Sequence, residues 1–330
     1  MNMISVVVPV YNSEGTIGNT VKALLKQNYP KNKYEIVLVD DGSTDKTVEV
    51  VSKFPVKIIK LKHKGPANAR NVGAKKSKGD IVLFTDADCI PDKNWIKNMV
   101  KPFKNEKVAG VSGTYKTLNR HSLLARFIGY DIQYRHEKMK KKRYIDFVGT
   151  FSAGYRKSVF LKEGGFDTTF LMSSGEDPEL SYRIAKKHKI VFQPSAFVKH
   201  PHPDRLKRYL RQKFWRIYWR FFMYDRHKEK MLGDSYTPFK SLLSLYIQIF
   251  LLGLIGLTFI LSFFMLIPLE FLILIILLSI FVPNIKFTVW VWKYDKNVSL
   301  IAPFFYFLRN IVYVFGGMVG GLNYFFNKIR

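Results

Sequence analysis

Short apolar runs alternate with amphipathic stretches along the N-terminal part of the chain. Ile4-Ser5-Val6-Val7-Val8 has the make-up of a buried strand. Asn12-Ser13-Glu14 then offers a helix cap ahead of Ile17, Val21, Leu24 and Leu25, which fall at helical spacing. The unit repeats: residues 35–39 read as a strand, Asp40-Asp41-Gly42-Ser43 as a turn and residues 44–54 as a helix. A strand over 56–61, a helix over 66–76 and a strand over 81–84 follow. Strands alternating with helices predict parallel pairing through right-handed crossovers, hence a doubly wound α/β layer.

Beyond residue 240 the alternation gives way to long apolar runs. Residues 242–265 carry no charge, and residues 266–282 carry only Glu270. A bilayer core of about 30 Å needs roughly 20 apolar residues, so spans are expected at about 242–265 and 266–289, with a tight turn marked by Pro268 and Glu270. A third apolar segment, 300–326, contains Pro303, Arg309 and the overlapping pairs Gly316/Gly320 and Gly317/Gly321, which permit close helix packing. It is expected either to span or to be re-entrant, and Arg309 needs a buried partner or a lipid phosphate. Just ahead of the spans, residues 204–224 mix Arg, Tyr, Trp and Phe as membrane-interface segments do. Leu123, Leu124, Phe127, Ile128 and Ile132, flanked by Arg126, Arg135 and the basic run 138–143, form a stripe suited to the headgroup region or to a helix core.

Charge sharpens this picture. The 330 residues hold 53 Lys+Arg against 25 Asp+Glu, a net charge of +28 lying mostly before residue 240. Such a field seeks polyanions: nucleic acid, an anionic membrane face or phosphorylated substrates. No helix-turn-helix, RNP-type or zinc-ligand spacing is present, so nucleic acid is not an expected partner. Basic residues flank the apolar hairpin on both sides while its tip has none, which predicts a cytoplasmic N-terminal part in a multi-pass cell-membrane protein. Residues 4–10 are too short for a secretory leader, and the single cysteine, Cys89, suits a reducing compartment.

The candidate chemistry centres on Asp86-Ala87-Asp88, directly after the apolar run 81–84. At the end of a buried strand, two carboxylates two residues apart emerge on one side, at the edge where open α/β sheets bind ligands. Hard oxygen ligands there suit Mg²⁺ or Mn²⁺, which bind carboxylates together with substrate phosphates, so a diphosphate is the expected ligand.

Several motifs occur in series: Pro9-Val10-Tyr11-Asn12 with Glu14, Val39-Asp40-Asp41-Gly42-Ser43-Thr44-Asp45, Ala69-Arg70-Asn71-x-Gly73 and Asp86-Ala87-Asp88. Gly154-Tyr155-Arg156, Gly164-Gly165-Phe166-Asp167, Gly175-Glu176-Asp177-x-Glu179-Leu180-x-x-Arg183 and Val198-x-His200 continue it. In order and spacing this resembles the family 2 glycosyltransferases of the GT-A fold, over residues 4 to about 200, and the apolar tail resembles that of membrane-attached members. The resemblance implies a GT-A catalytic domain over 1–203, basic and aromatic interface helices over 204–240 and a membrane domain over 241–330. It also implies that Pro9, Tyr11 and Glu14 line a nucleoside pocket, Asp40 contacts the base and Asp86 the ribose or metal. Asp88 would be the metal ligand, His200 a further metal or diphosphate ligand, and Arg70 added positive charge near the donor. Asp177 would be the general base with Glu176 placing the acceptor, both at a positive helix end that favours their ionised form.

Gly154 is expected on the acceptor side, as are Arg211, Gln212, Trp215 and Arg216. Gln212-Lys213-Phe214-Trp215-Arg216 resembles the Gln-x-x-Arg-Trp motif of processive synthases with its last two residues reversed. A phosphate acceptor needs no proton removed, whereas a hydroxyl does, so the Glu-Asp pair favours a hydroxyl acceptor. The expected activity is metal-dependent inverting transfer from a nucleotide-diphosphate sugar to a hydroxyl on a lipid-linked or membrane-associated glycan. A polyprenyl-phosphate glycosyltransferase and a processive polysaccharide synthase are the alternatives.

Overall fold

A computed structural model describes residues 3–170, 175–264 and 268–329. The chain divides into two compact units, one of residues 3–119 and 136–202 and one of residues 120–135 and 203–329.

The first unit is built on an eight-stranded sheet. Its strands are β1 (Ile4–Val10), β2 (Tyr34–Asp40), β3 (Lys57–Lys60), β4 (Ile81–Phe84), β5 (Ile90–Pro91), β6 (Val108–Thr117), β7 (Ala153–Arg156) and β8 (Lys189–His200), in the spatial order β3-β2-β1-β4-β7-β6-β8-β5. Strands β1 to β4 pair in parallel, as the alternating pattern predicts. Strand β7 runs antiparallel between β4 and β6, which makes the sheet mixed rather than wholly parallel. In register Val10 faces Asp40 and Asp40 faces Lys60, so the turns after β1, β2 and β3 leave at one edge.

The helices, in chain order, are α1 (Ile17–Leu25), α2 (Thr47–Ser52), α3 (Pro66–Lys76), α4 (Trp95–Val100), α5 (Leu123–Met139), α6 (Lys157–Lys162), α7 (Glu176–Lys187), α8 (Leu206–Arg226), α9 (Phe239–Phe263), α10 (Leu269–Phe281), α11 (Ile285–Trp292) and α12 (Lys296–Ile329). Apolar residues of β1, β2 and β4 form a core with α1 and α4, in which Trp95 is fully buried and donates its indole N–H to Ser152 Oγ at 2.8 Å. On α3, Gly73 lies so close to the sheet that an added Cβ would meet Val7 Cγ1 at 2.4 Å.

The second unit is helical. Among the described residues, three stretches are long and apolar enough to cross a membrane: Leu242–Phe263, Leu269–Trp292 and Lys296–Phe326. The first two correspond to the expected spans; the part of that expectation falling on 265–267 lies outside the described residues. The third is one continuous helix through Pro303 rather than a re-entrant loop, and it packs on α8. Its glycines make that approach possible, since a Cβ on Gly316 would lie 2.5 Å from Ile217 Cγ2 and one on Gly320 2.9 Å from the Tyr218 carbonyl.

Residues 120–135 belong to this helical unit although they lie within the 1–203 segment of the sequence. Phe127 is fully buried among the rings of Tyr209, Phe287, Phe305 and Tyr306, so the apolar stripe of α5 is a core face rather than a headgroup surface. Arg309 has its partners inside the unit: its Nη1 lies 3.5 Å from Asp131 Oδ2, and its Nε and Nη2 donate to Asn310 Oδ1.

Candidate active site

An open cleft of about 460 Å³ lies at the carboxyl edge of the parallel strands, the usual position for ligand binding in such sheets. Pro9 and Tyr11, from the end of β1, line it with Asn12, Ser13 and Thr16; Asp41, His63, Pro66 and Arg70 form another wall; Asp86, Ala87, Asp88 and His200 complete it. Tyr11 is exposed, and its ring stacks on His63 with centroids 4.3 Å apart and planes inclined by 26°.

The rim is held by hydrogen bonds between two loops. Asn12, at a positive φ of 45°, donates its backbone N–H to Ser43 Oγ, and its Oδ1 accepts the Thr44 N–H at 2.8 Å. The Ser13 N–H reaches Thr47 Oγ1 at 2.6 Å, and the Glu14 N–H reaches Asp45 Oδ2 at 3.2 Å. Glu14 Oε2 in turn accepts the Lys46 N–H at 2.9 Å. Glu14 is therefore a loop tether and not a lining residue of the cleft.

Asp40 is buried and accepts the Ser43 N–H, while its neighbour Asp41 lines the cleft. Asp41 is fixed by the backbone N–H groups of Lys64 and Gly65 at 3.0 and 2.8 Å, and His63 Nδ1 lies 2.9 Å from Asp41 Oδ2. Gly154 sits in the sheet interior, where an added Cβ would meet Leu83, Met99 and Phe103, so its role is packing rather than acceptor contact. Arg211, Gln212, Trp215 and Arg216 lie on α8 in the second unit.

Arg70 is the hub of the acidic residues. Only 2% exposed, it donates from Nη2 to Asp86 Oδ1 at 2.7 Å and from Nη1 to Glu176 Oε1 at 3.2 Å. Burial disfavours its charge, but Asp86 and then Glu176 outweigh that and hold the guanidinium protonated. Glu176 is equally buried and also accepts the Gly175 N–H at 3.1 Å. Asp177, half-buried, shares the first turn of α7 with Glu176, and its carbonyl accepts Ser181 Oγ–H at 2.6 Å. The acid pair thus connects to the cleft through Arg70, and neither acid is itself a lining residue.

The neighbouring motifs support this hub. Asn71 exchanges two hydrogen bonds with the Phe166 backbone, at 2.7 and 2.8 Å, which ties α3 to the Gly164-Gly165 turn. Arg183 binds Glu179 at 2.7 Å and the Gly165 carbonyl at 2.7 Å, tying α7 to the same turn.

Asp88 and His200 come together as candidate cation ligands, with His200 Nε2 3.6 Å from Asp88 Oδ1. Asp88, Cys89 and His200 offer ligand atoms all within 4.8 Å of one another. Burial, and then the charge of Asp86, push the Asp88 carboxyl up against the opposing pull of His200, so an added positive charge there would be favourable. The His200 ring stacks against Tyr115, and its Nδ1 is buried without a hydrogen-bond partner. Burial pushes the Cys89 thiol well above its usual range, leaving it a poor ligand. Carboxylate plus imidazole fits a divalent cation that completes its shell with phosphate oxygens.

Sequence reasoning did not single out His63, a lone histidine in a lysine-rich loop; its place between β3 and α3, at the same edge as Asp86, was the available signal. Asp41 was visible only as a turn residue.

Residues 5–163 match the family model described as Glycosyl transferase family 2. The chain is 30% identical over 233 residues to the probable glycosyltransferase YdaM of Bacillus subtilis, covering 66% of this chain and 53% of that protein. It thus spans about half the length of that relative. It is 26% identical over 236 residues, 64% of this chain and 71% of the relative, to the dolichyl N-acetyl-alpha-D-glucosaminyl phosphate 3-beta-D-2,3-diacetamido-2,3-dideoxy-beta-D-glucuronosyltransferase of Methanococcus voltae. Among solved structures, the mannosyltransferase PcManGT of Pyrobaculum calidifontis, in complex with GDP-Man and Mn²⁺, superposes with a TM-score of 0.61 at 16% identity, covering 97% of this chain and 87% of that one. The fold is GT-A, residues 5–163 match the family 2 glycosyltransferase model, and helices long and apolar enough to cross a membrane follow.

Proposed function

We propose that the protein is a membrane-anchored inverting glycosyltransferase. It would move a sugar from a nucleotide-diphosphate donor to a hydroxyl on a lipid-linked or membrane-associated glycan. The observation carrying this reading is the cleft in which Tyr11, His63 and Asp41 face Asp86, Asp88 and His200 within a family 2 domain.

In this reading Tyr11 supplies an exposed, stacked aromatic face for the base, and Asp41 and His63 supply polar groups beside it. Asp40 would act on the base only through the turn it holds. Asp88 and His200 would hold Mg²⁺ or Mn²⁺, which when bound neutralises charge on the departing diphosphate. Arg70 orients Asp86 and Glu176. Asp177 takes the proton of the acceptor hydroxyl, so that attack opposite the leaving group inverts the anomeric centre. The Methanococcus voltae relative, whose name describes transfer to a sugar already on a dolichyl phosphate, supports a hydroxyl acceptor on a lipid carrier. Basic residues on both flanks of the apolar hairpin support a cytoplasmic catalytic unit.

Purified full-length chain, offered a panel of nucleotide sugars with and without chelator, should hydrolyse or transfer from one donor class only when Mg²⁺ or Mn²⁺ is present. Asp177→Asn should bind that donor nearly as well while losing roughly 10²–10⁴-fold in turnover. Absence of turnover from every donor under every cation would overturn the reading.

A further inference from the structure

Within the helical unit lies a second cavity, of about 60 Å³, at the start of α9. Its walls carry four arginines, Arg135, Arg216, Arg220 and Arg309, together with Asn310, while Ile217, Leu242 and Leu245 form an apolar side. By the same measure a single water needs roughly 10–15 Å³, so the space admits a group of several heavy atoms.

Arg135 and Arg309 share one buried carboxylate, Asp131, and Arg216 adds a third guanidinium to the same wall. Asp131 receives Arg135 at 3.3 Å, Arg309 at 3.5 Å and the Tyr306 hydroxyl at 2.6 Å. Burial pushes the Asp131 carboxyl up, but Arg135, Arg309 and Lys213 together hold it well below the usual range. Asp234 accepts the backbone N–H groups of Tyr236 and Thr237 and is not a residue of the cavity wall. Buried charges are ordinarily paired, and a cluster with this excess of guanidinium calls for an anion.

The neutral member of the wall makes the same demand. Asn310 is fully buried, its Oδ1 is taken by Arg309, and its Nδ2 has no hydrogen-bond partner. Arg309 Nη1 has its ion pair with Asp131 but makes no hydrogen bond. A buried donor is costly unless an acceptor arrives, and the Asn310 amide lies at a cavity already rich in positive charge.

We infer that this cavity binds the phosphate group of an anionic membrane lipid, with the lipid chain following the apolar side of α9. Arginine forks suit phosphate oxygens, and Leu242 and Leu245 begin a helix long and apolar enough to lie in hydrocarbon. The cavity shares no lining residue with the cleft of the first unit, and binding there does not depend on which sugar is transferred or on whether transfer occurs. A phospholipid headgroup and the phosphate of a lipid-linked glycan carrier share this chemistry.

The test uses the full-length chain, purified in detergent and stripped of lipid. It is titrated with dioleoylphosphatidylglycerol, with farnesyl diphosphate and with zwitterionic dioleoylphosphatidylcholine, and bound lipid is counted by native mass spectrometry. Saturable binding of either anionic probe over phosphatidylcholine is expected. Preference for phosphatidylglycerol points to a headgroup, and preference for farnesyl diphosphate to a carrier. Arg216→Gln and Asn310→Leu should each weaken binding by roughly tenfold or more, the size of a lost charge-assisted hydrogen bond. Arg208→Gln, at an exposed residue of the same helix, should bind as the unaltered chain does. Thermal melting checks that each variant is folded, and Arg220→Gln replaces any that is not. Equal binding of all three lipids, no saturable binding, or folded cavity variants that bind normally would each overturn the inference.

Discussion

Arg70 divides one guanidinium between Asp86 and Glu176, and all three depend on that division. Lysine offers a point charge without the fork. Arg70→Lys is therefore expected to leave one acid poorly held, lowering turnover by at least about tenfold, one lost charge-assisted bond. Steady-state kinetics beside a melting curve would separate this from unfolding. Asp131 is the corresponding acid of the helical unit, and removing its charge strands Arg135 and Arg309. Asp131→Asn should cost about 3–5 kcal/mol, the usual penalty for breaking a buried pair. Because the folded carboxyl lies below its unfolded value, its contribution is full above the ordinary carboxylate range and is lost as pH falls through the folded pKa. Melting temperatures of the two proteins should accordingly converge toward acid. Asp86 and Asp88 were legible in the sequence because a strand end sets their direction. The Arg70 bridge was not, since nothing in the local pattern brings residue 70 to residue 176.

Helix α12 offers a sharper contrast between neighbours. A Cβ at Gly316 would sit 2.5 Å from Ile217, whereas one at Gly317 finds Phe221 at an ordinary 3.6 Å. Gly316→Ala should destabilise by about 1–3 kcal/mol through overpacking, while Gly317→Ala should be neutral or slightly stabilising because alanine favours helix. Denaturation of the two single variants in detergent decides this. The glycine spacing revealed close packing in advance but not its partner, α8. Likewise, the strand-helix rhythm identified β1 to β4, yet periodicity carries no pairing order, and the antiparallel insertion of β7 went unseen. Helix α2 begins at Thr47 rather than at residue 44, because Asn12, Ser13 and Glu14 draw the intervening residues into the loop tether. An amphipathic stripe such as that of α5 shows that a helix has a buried face, not which unit buries it.

For the whole molecule, orientation in the membrane is the property most open to direct test. With Lys162 on the first unit and Glu270 at the start of α10, single-cysteine variants of the two should label oppositely in intact cells. A membrane-impermeant maleimide is expected to reach Glu270→Cys from outside and Lys162→Cys only after permeabilisation; the reverse pattern would invert the proposed topology. Cys89, the sole native thiol, is fully buried and contributes little background. The division between a charged N-terminal unit and an apolar tail was plain from composition, because bilayer and water select residues so differently. What composition could not show is that the loops carrying Asn12 and Ser43 are stitched together at the rim of the cleft. A nucleotide docking there meets walls already set, so the entropy lost on association falls mainly on the ligand, and calorimetry should register little cost from ordering the protein.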